Sequence, residues 1–224
     1  MRRYLRRFSR TTIVGSHREL TNGFFFQVHE GMRIFLGPIL PEDRWRLAQG
    51  FAGLSPESRY YRFFSCRRRL TEKELLDITE VDQVSHVAWG AFDTVNAGMP
   101  ALGLGRFFRD EEDTTAAELT MTVVDAHQHQ GLGTILLAVL VLRAEAVGVD
   151  RLRAYILPEN LIAIRWLHGL GAETLSKQEY FELELRIGPE SGAKARTPSR
   201  VKFDRLLEAI RGIAPAALLD EGRD

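Results

Sequence analysis

The sequence predicts a domain of the mixed α/β class. Short β-like runs alternate with capped helical segments along the chain. Near its middle a β-like run ends in a glycine-punctuated turn that leads straight into an apolar helix. The 224 residues suffice for one domain with a real core, or one domain plus appendages.

Taken in order, residues 32–36 are β-like, and a turn holding Pro38 and Pro41 leads into a helix over 44–51. Ser55 caps a second helix that Pro56 opens, the placement proline favours. That helix bears Arg59, Tyr60, Tyr61, Arg62, Phe63 and Phe64. Thr71 caps a third, with Glu74 three positions on as a capping box. Two β-like runs follow at 87–92 and 102–108, joined by turn-rich residues 96–100. The next run, 117–124, enters the glycine turn and the apolar helix at 135–140. Residues 151–157 alternate as a strand does, with Leu152, Ala154 and Ile156 on one face. A helix over 161–168 and a closing strand over 180–187 complete the domain. Four segments result: a basic arm at 1–30, the domain at 31–187, a linker at 188–198, and a helix with tail at 199–224. That last helix carries Val201, Leu206, Leu207 and Ile210 partly along one face. It can dock on the domain, on a second subunit (a homo-oligomer) or on another partner.

Composition excludes several classes. Lys plus Arg number 30 and Asp plus Glu number 30, so no global field recruits nucleic acid or an anionic membrane. The longest apolar run, 135–142, falls far short of the ~18 residues of a membrane span. The single Cys66 excludes an internal disulfide framework and fits a reducing compartment, which predicts a cytoplasmic protein. Beside Arg67, Arg68 and Arg69 it is a candidate activated thiol, against the more common reading of packing. The arm opens Met1-Arg2-Arg3-Tyr4-Leu5-Arg6-Arg7 and lacks the apolar stretch of a secretion signal.

The central turn is the strongest chemical signal. Gly131 and Gly133 stand in the first turn of a helix, where each costs roughly 1 kcal/mol relative to Ala. Glycines kept there leave the backbone uncovered. Free N–H groups at the positive end of a helix dipole bind phosphate. A tight strand-to-helix turn with no ligand is the competing reading. His127 and His129 have metal-like spacing but no third ligand in view, so no metal is expected.

Gln128-x-x-Gly131-x-Gly133 resembles the Gln/Arg-x-x-Gly-x-Gly/Ala pyrophosphate loop of the GNAT N-acetyltransferase superfamily. Asn160 after the strand and Gly171 after the next helix are similar to that family's second signature. Asp125 stands where proline is common, His129-Gln130 replaces a frequent Gly-Arg pair, and Ala172 replaces a phenylalanine. Over roughly 33–187 the chain is closest to the bacterial protein-lysine acetyltransferase branch, through Leu54-Ser55-Pro56-Glu57-Ser58-Arg59-Tyr60, Arg62-Phe63-Phe64, Leu70-Thr71, Val81-Asp82 and His86-Val87-Ala88. Members of that branch often carry a cyclic-nucleotide or acyl-CoA synthetase domain, and neither is expected here.

The resemblance implies the GNAT fold, a mixed and mostly antiparallel sheet of six to seven strands flanked by helices. It implies acetyl-CoA as cosubstrate, held by Met121, Val123 and Val124 on the strand. Gln128, His129, Gln130, Gly131, Leu132, Gly133 and Thr134 would contact it from the loop and helix start, and Asn160 from the pantetheine side. A backbone N–H within 121–123 would polarise the thioester oxygen. Glu118 falls where the branch carries its glutamate base. An alkyl amine has a pKa of ~10.4, so freeing it at pH 7 costs about 4.6 kcal/mol, and a base is worth having. Acidic residues are uncommon in strands; the competing reading of Glu118 is an edge-strand carboxylate paired with an arginine. Many members have a tyrosine acid where this chain has Leu167, so the departing thiolate must leave with modest help, from water or His168.

Three functions fit: acetylation of a protein lysine, acetylation of a small amine, or acetyl-CoA sensing without turnover. Arg59 and Arg62 on the second helix predict a preference for lysines with acidic neighbours, if their guanidinium groups extend outward.

Overall fold

The computed structural model describes residues 23–28, 32–65, 67–96, 98–188 and 197–213. Among them are eight strands: β1 (Phe24–Gln27), β2 (Arg33–Pro38), β3 (His86–Asp93), β4 (Ala101–Arg109), β5 (Ala116–Val123), β6 (Arg151–Ile156), β7 (Glu173–Lys177) and β8 (Phe181–Arg186). The helices are α1 (Arg44–Ala52), α2 (Pro56–Phe63), α3 (Glu72–Thr79), α4 (Leu132–Ala146), α5 (Leu161–Gly169) and α6 (Pro198–Arg211). The strands form one sheet in the order β1-β2-β3-β4-β5-β6-β8-β7. Every pairing is antiparallel except β5 with β6.

The fold class is the one the sequence predicts, with eight strands in place of six to seven. β1 lies inside the segment assigned to the basic arm, where Phe24 and Phe26 are buried and Gln27 is exposed. The alternation was present, but so short a run beside an arginine-rich stretch carries little weight. β7 leaves no apolar signal in the sequence, because Glu173-Thr174-Leu175-Ser176-Lys177 is a polar edge strand with no fully buried residue. The arm's residues 1–22, Cys66, most of the linker and the C-terminal tail lie outside the described residues.

The helix caps follow the sequence. Ser55 Oγ accepts from Ser58 N–H at 3.1 Å to start α2. At α3, Thr71 Oγ1 accepts from Glu74 N–H at 3.2 Å while Glu74 Oε2 accepts from Thr71 N–H at 2.8 Å. Thr197 Oγ1 starts α6 by accepting from Arg200 N–H at 3.0 Å.

One face of the sheet carries α4, which is buried almost all round. It lies so close to β4 that a Cβ on Gly105 would come within 2.8 Å of Leu140 Cδ1, and the leucine would have to shift to admit one. α6 docks on this domain: Phe203, Leu207 and Ile210 join the same core as Leu136, Leu137 and Leu140. The other face holds a smaller core of Phe35, Ile39, Leu47, Leu75, Ile78 and Phe92 beneath α1 and α3. The two-core arrangement fixes which face each strand residue presents.

Candidate active site

β5 and β6 pair over three rungs only, Ala116 with Arg151, Ala117 with Leu152, and Glu118 with Arg153. Beyond Glu118, β5 stays on β4 as far as Val123, while β6 stays on β8. The sheet therefore opens into a cleft of about 110 Å³. Its walls include Thr120, Met121, Tyr155, Asn160, Trp166 and Arg62. Val124 N–H donates to Leu102 O at 2.9 Å, so strand alternation turns the N–H groups of Met121 and Val123, beyond the last rung with β6, the other way, into the opening. Fixed donors at that edge suit a developing oxyanion. Val124, by contrast, spends its N–H on β4 and turns its side chain to an apolar cavity beneath α1.

The loop after β5 is a short 3₁₀ turn over Asp125–His127, followed by left-handed backbone at His129 (φ 59°) and Gly131 (φ 86°). Gly131 is the N-cap of α4, one position earlier than the first-turn place expected of it, and no side chain caps the helix. Among the described residues, no acceptor meets the N–H groups of Leu132, Gly133 and Thr134. A Cβ on Gly131 would meet nothing within 4 Å, and one on Gly133 only Val123 Cγ2 at 3.8 Å. The glycines thus keep open space over a positive helix end. Gln128 Nε2 donates to Val123 O at 3.1 Å and Ser58 Oγ at 3.2 Å, and Gln130 Nε2 to Ala126 O at 3.1 Å. Trp166 Nε1 donates to Thr134 Oγ1 at 3.3 Å, tying α5 to the start of α4.

Glu118 is exposed and has no hydrogen bond or ion pair among the described residues. The alternative of an edge carboxylate paired with arginine does not hold. The strand is internal at that point, and neighbouring Arg153 bonds Glu184 instead, Nε to Oε2 at 3.2 Å. On the same face, Arg62 Nη2 donates to Thr120 Oγ1 at 3.2 Å. Burial pushes the Arg62 guanidinium down to about 10, with Glu118 opposing the shift and Arg67 adding to it. Arg106 is pushed down to about 9, first by burial and then by Arg62. It donates to His86 Nε2 at 3.1 Å. Burial, then the charge of Arg106, lowers His86 to about 4.

Asn160 caps α5, its Oδ1 accepting from Ala163 N–H at 3.2 Å, and it lines the cleft beside Met121. Leu167 is 3% exposed, a core residue at the cleft's base. His168 bonds Thr174 on β7 at 3.0 Å and is absent from the cleft wall. Arg59 donates to Ala52 O at 3.2 Å and Arg68 O at 3.5 Å, so it clamps backbone and does not extend outward as expected. Tyr61 and Tyr155 line the cleft, unmarked by any sequence signal. Asp125, legible in the sequence only as a departure from proline, accepts from Ser55 N–H and Ser58 Oγ, each at 2.9 Å. No three His, Cys, Asp or Glu side chains gather as a metal site would require among the described residues. No described helix is long and apolar enough to cross a membrane.

Comparison with known proteins agrees with this geometry. Residues 51–172 match the acetyltransferase (GNAT) family. The acetyltransferase Pat of Mycolicibacterium smegmatis is 36% identical over 146 residues, which take 65% of this chain and 43% of that one. The chain thus spans less than half the length of the curated relative it matches. The GNAT domain of Streptomyces lividans PAT superposes with a TM-score of 0.67 at 27% identity, over 74% of this chain and 97% of that domain. A cAMP-binding acyltransferase from Mycobacterium smegmatis superposes at 0.53 with 28% identity, over 88% of this chain and 55% of its own. In fold alone the chain also matches a Salmonella typhimurium protein solved with its cofactor acetyl-CoA, at 16% identity and TM-score 0.56, over 74% of this chain and 97% of that one. By the matched segment, the splayed sheet and the glycine loop together, the chain belongs to the GNAT acetyltransferase family.

Proposed function

We propose that the protein transfers the acetyl group of acetyl-CoA to a primary amine, a protein lysine, by direct attack with Glu118 as general base. One observation carries the reading: an exposed, unpartnered carboxylate stands on the last rung before β5 and β6 part. The acceptor arrives as an ammonium of pKa ~10.4. Glu118 takes one proton, directly or through one water. The freed lone pair forms the C–N bond at the thioester carbonyl carbon, whose oxygen lies toward the N–H groups of Met121 and Val123. The C–S bond breaks and its electron pair leaves on sulfur. A thiol of pKa ~8.5 is a good leaving group, so a buried Leu167 in place of an acid is tolerable. The second amine proton ends on the departing thiolate.

The coenzyme's pyrophosphate would lie on the loop from Gln128 to Gly131 and on the free N–H groups of Leu132, Gly133 and Thr134, with Asn160 on the pantetheine arm. Of the segments 1–30 and 188–224, β1 adds a strand to the sheet of this catalytic unit and α6 packs on its core, and one cysteine in 224 residues supports a cytoplasmic setting. Thiol release from acetyl-CoA, measured with a lysine peptide, with free amines and with no acceptor, tests the proposal. Turnover with the peptide supports it. Turnover with free amines alone moves the acceptor to small molecules, and binding without thiol release makes the protein a sensor. An acetylome with and without the protein would then identify the acceptor.

A further inference from the structure

Two large aromatic side chains remain exposed on the face that carries Glu118. Tyr155 of β6 is 36% exposed and Tyr180, just before β8, is 40% exposed. Their rings pack edge to face, 5.4 Å apart at 85°. Ala154 and Ile156 point into the main core, so Tyr155 between them points to the opposite face. Arg153 shares that face with Glu118, its partner in the last parallel rung, and Tyr155 lies two residues further along. Tyr155 therefore borders the opening one step beyond the candidate base, and it lines the cleft together with Thr120.

The charges around the two walls differ. Glu182 sits directly opposite Tyr155 on β8. Burial, then the negative charges of Glu182 and Glu118, hold the Tyr155 phenol above its ordinary value, so it stays neutral. Across the cleft, the α2 wall carries the Arg62 guanidinium on Thr120. On the β6 wall the Arg153 guanidinium also acts on Tyr155, but it is paired with Glu184 at 3.2 Å, so a cation entering the opening is repelled from the α2 side and drawn to the Glu182 side of the β6–β8 wall. There it meets ring faces and carboxylates together, the surroundings that favour alkylammonium groups. A lysine side chain adds a four-carbon stem that can lie along the rings with its charge beyond them.

We propose that Tyr155 and Tyr180, with Glu182, form the docking wall for the acceptor's alkylammonium side chain and deliver it to Glu118. The proposal rests on the acetyltransfer reading for its purpose, but its test does not need turnover. It also replaces the expectation of acidic-flanked lysines: the arginines of α2 are spent on Ala52, Arg68 and Thr120, while the Glu182 carboxylate lies on the other wall.

The experiment measures binding of a lysine peptide to the full chain saturated with coenzyme A, by calorimetry, beside steady-state kinetics with acetyl-CoA. Tyr155→Ala should weaken peptide binding and raise its KM by about tenfold, the size of a partly desolvated cation–π contact. Tyr155→Phe, which keeps the ring, should stay within about twofold. Glu182→Gln should weaken binding in the same direction, and unchanged thermal melting would show that each variant folds. The wall is wrong if Tyr155→Ala binds as the wild type does, if Tyr155→Phe fails equally, or if the wild-type complex does not bind the peptide. Binding that follows this pattern without thiol release would keep the wall and overturn the acetyltransfer reading.

Discussion

The Ser58 hydroxyl of α2 donates to Asp125 Oδ1 at 2.9 Å and accepts from Gln128 Nε2 at 3.2 Å, so one side chain joins α2 to both ends of the 3₁₀ turn before α4. Ser55 N–H adds a second bond to Asp125, at 2.9 Å. α2 and the loop before α4 are thereby one mechanical unit.

The first prediction follows from that link. Burial alone would raise the Asp125 carboxyl, but hydrogen bonds from Ser55 and Ser58 outweigh it and hold the group below its ordinary value. A depressed folded pKa stabilises the fold above the unfolded value of ~3.9, and that contribution is lost as pH falls through the folded pKa. Asp125→Asn should lower Tm at pH 7 and lose less than the wild type on acidification below about pH 4. Parallel melting curves from pH 7 to pH 3 for the two proteins would refute this. Acetyl-CoA binding at pH 7 should weaken as well, because the loop loses its anchor.

Glu118→Gln removes the proton acceptor while keeping size and exposure. Turnover with the lysine peptide should fall by roughly 10²–10⁴-fold, with coenzyme affinity nearly unchanged. A wild-type rate at pH 7 would assign the proton to bulk water or another group.

Gly131 and Gly133 differ as test sites. Gly131 has φ 86°, so any side chain there strains the backbone whatever space surrounds it. Gly133 is helical with open space around it. Gly133→Val should therefore keep a near-native Tm yet weaken acetyl-CoA by at least about tenfold, by covering the N–H groups and crowding the phosphates. Equal affinity in calorimetry for a folded variant would remove the coenzyme from this loop.

Much of this arrangement is local and so was legible. Ser55, Thr71 and Asn160 announce their helices through caps, and apolar alternation locates β5 and β6. Glycines at a strand-to-helix turn point to an anion site without any tertiary information. Other parts arise only from packing between distant segments. The bond between Ser58 and Asp125 spans 67 positions, and that between Arg62 and Thr120 spans 58. Tyr155 reads as an ordinary strand residue until the sheet opens beside it. Arg59 departs from the outward expectation because the turn after α1 and the chain beyond α2 bring the carbonyls of Ala52 and Arg68 beside it. Side-chain type suggested an outward fork; backbone geometry took it up.

The last prediction concerns His86, held neutral on β3, two strands from the candidate base with Phe108 between them. Its ring stacks on Phe108 at 4.1 Å, and Nε2 accepts from Arg106. A proton there would remove the acceptor and set a cation against the guanidinium, which with burial explains a folded pKa of about 4. The unfolded value is ~6.5. The unfolded chain thus binds more protons between these values, and stability rises with pH across that window. Above about pH 6.5 the contribution is flat; below it the fold loses stability until about pH 4, where both states are protonated. His86→Gln keeps a hydrogen-bond acceptor but cannot titrate. It should flatten the dependence of unfolding free energy on pH between 6.5 and 4.5, by at most about 1.4 kcal/mol per pH unit. Denaturant unfolding at four pH values measures the slope. The window lies above that of Asp125, so the two variants are separable on one protein. Equal slopes for His86→Gln and wild type would mean that His86 takes up its proton as freely in the folded chain as in the unfolded one.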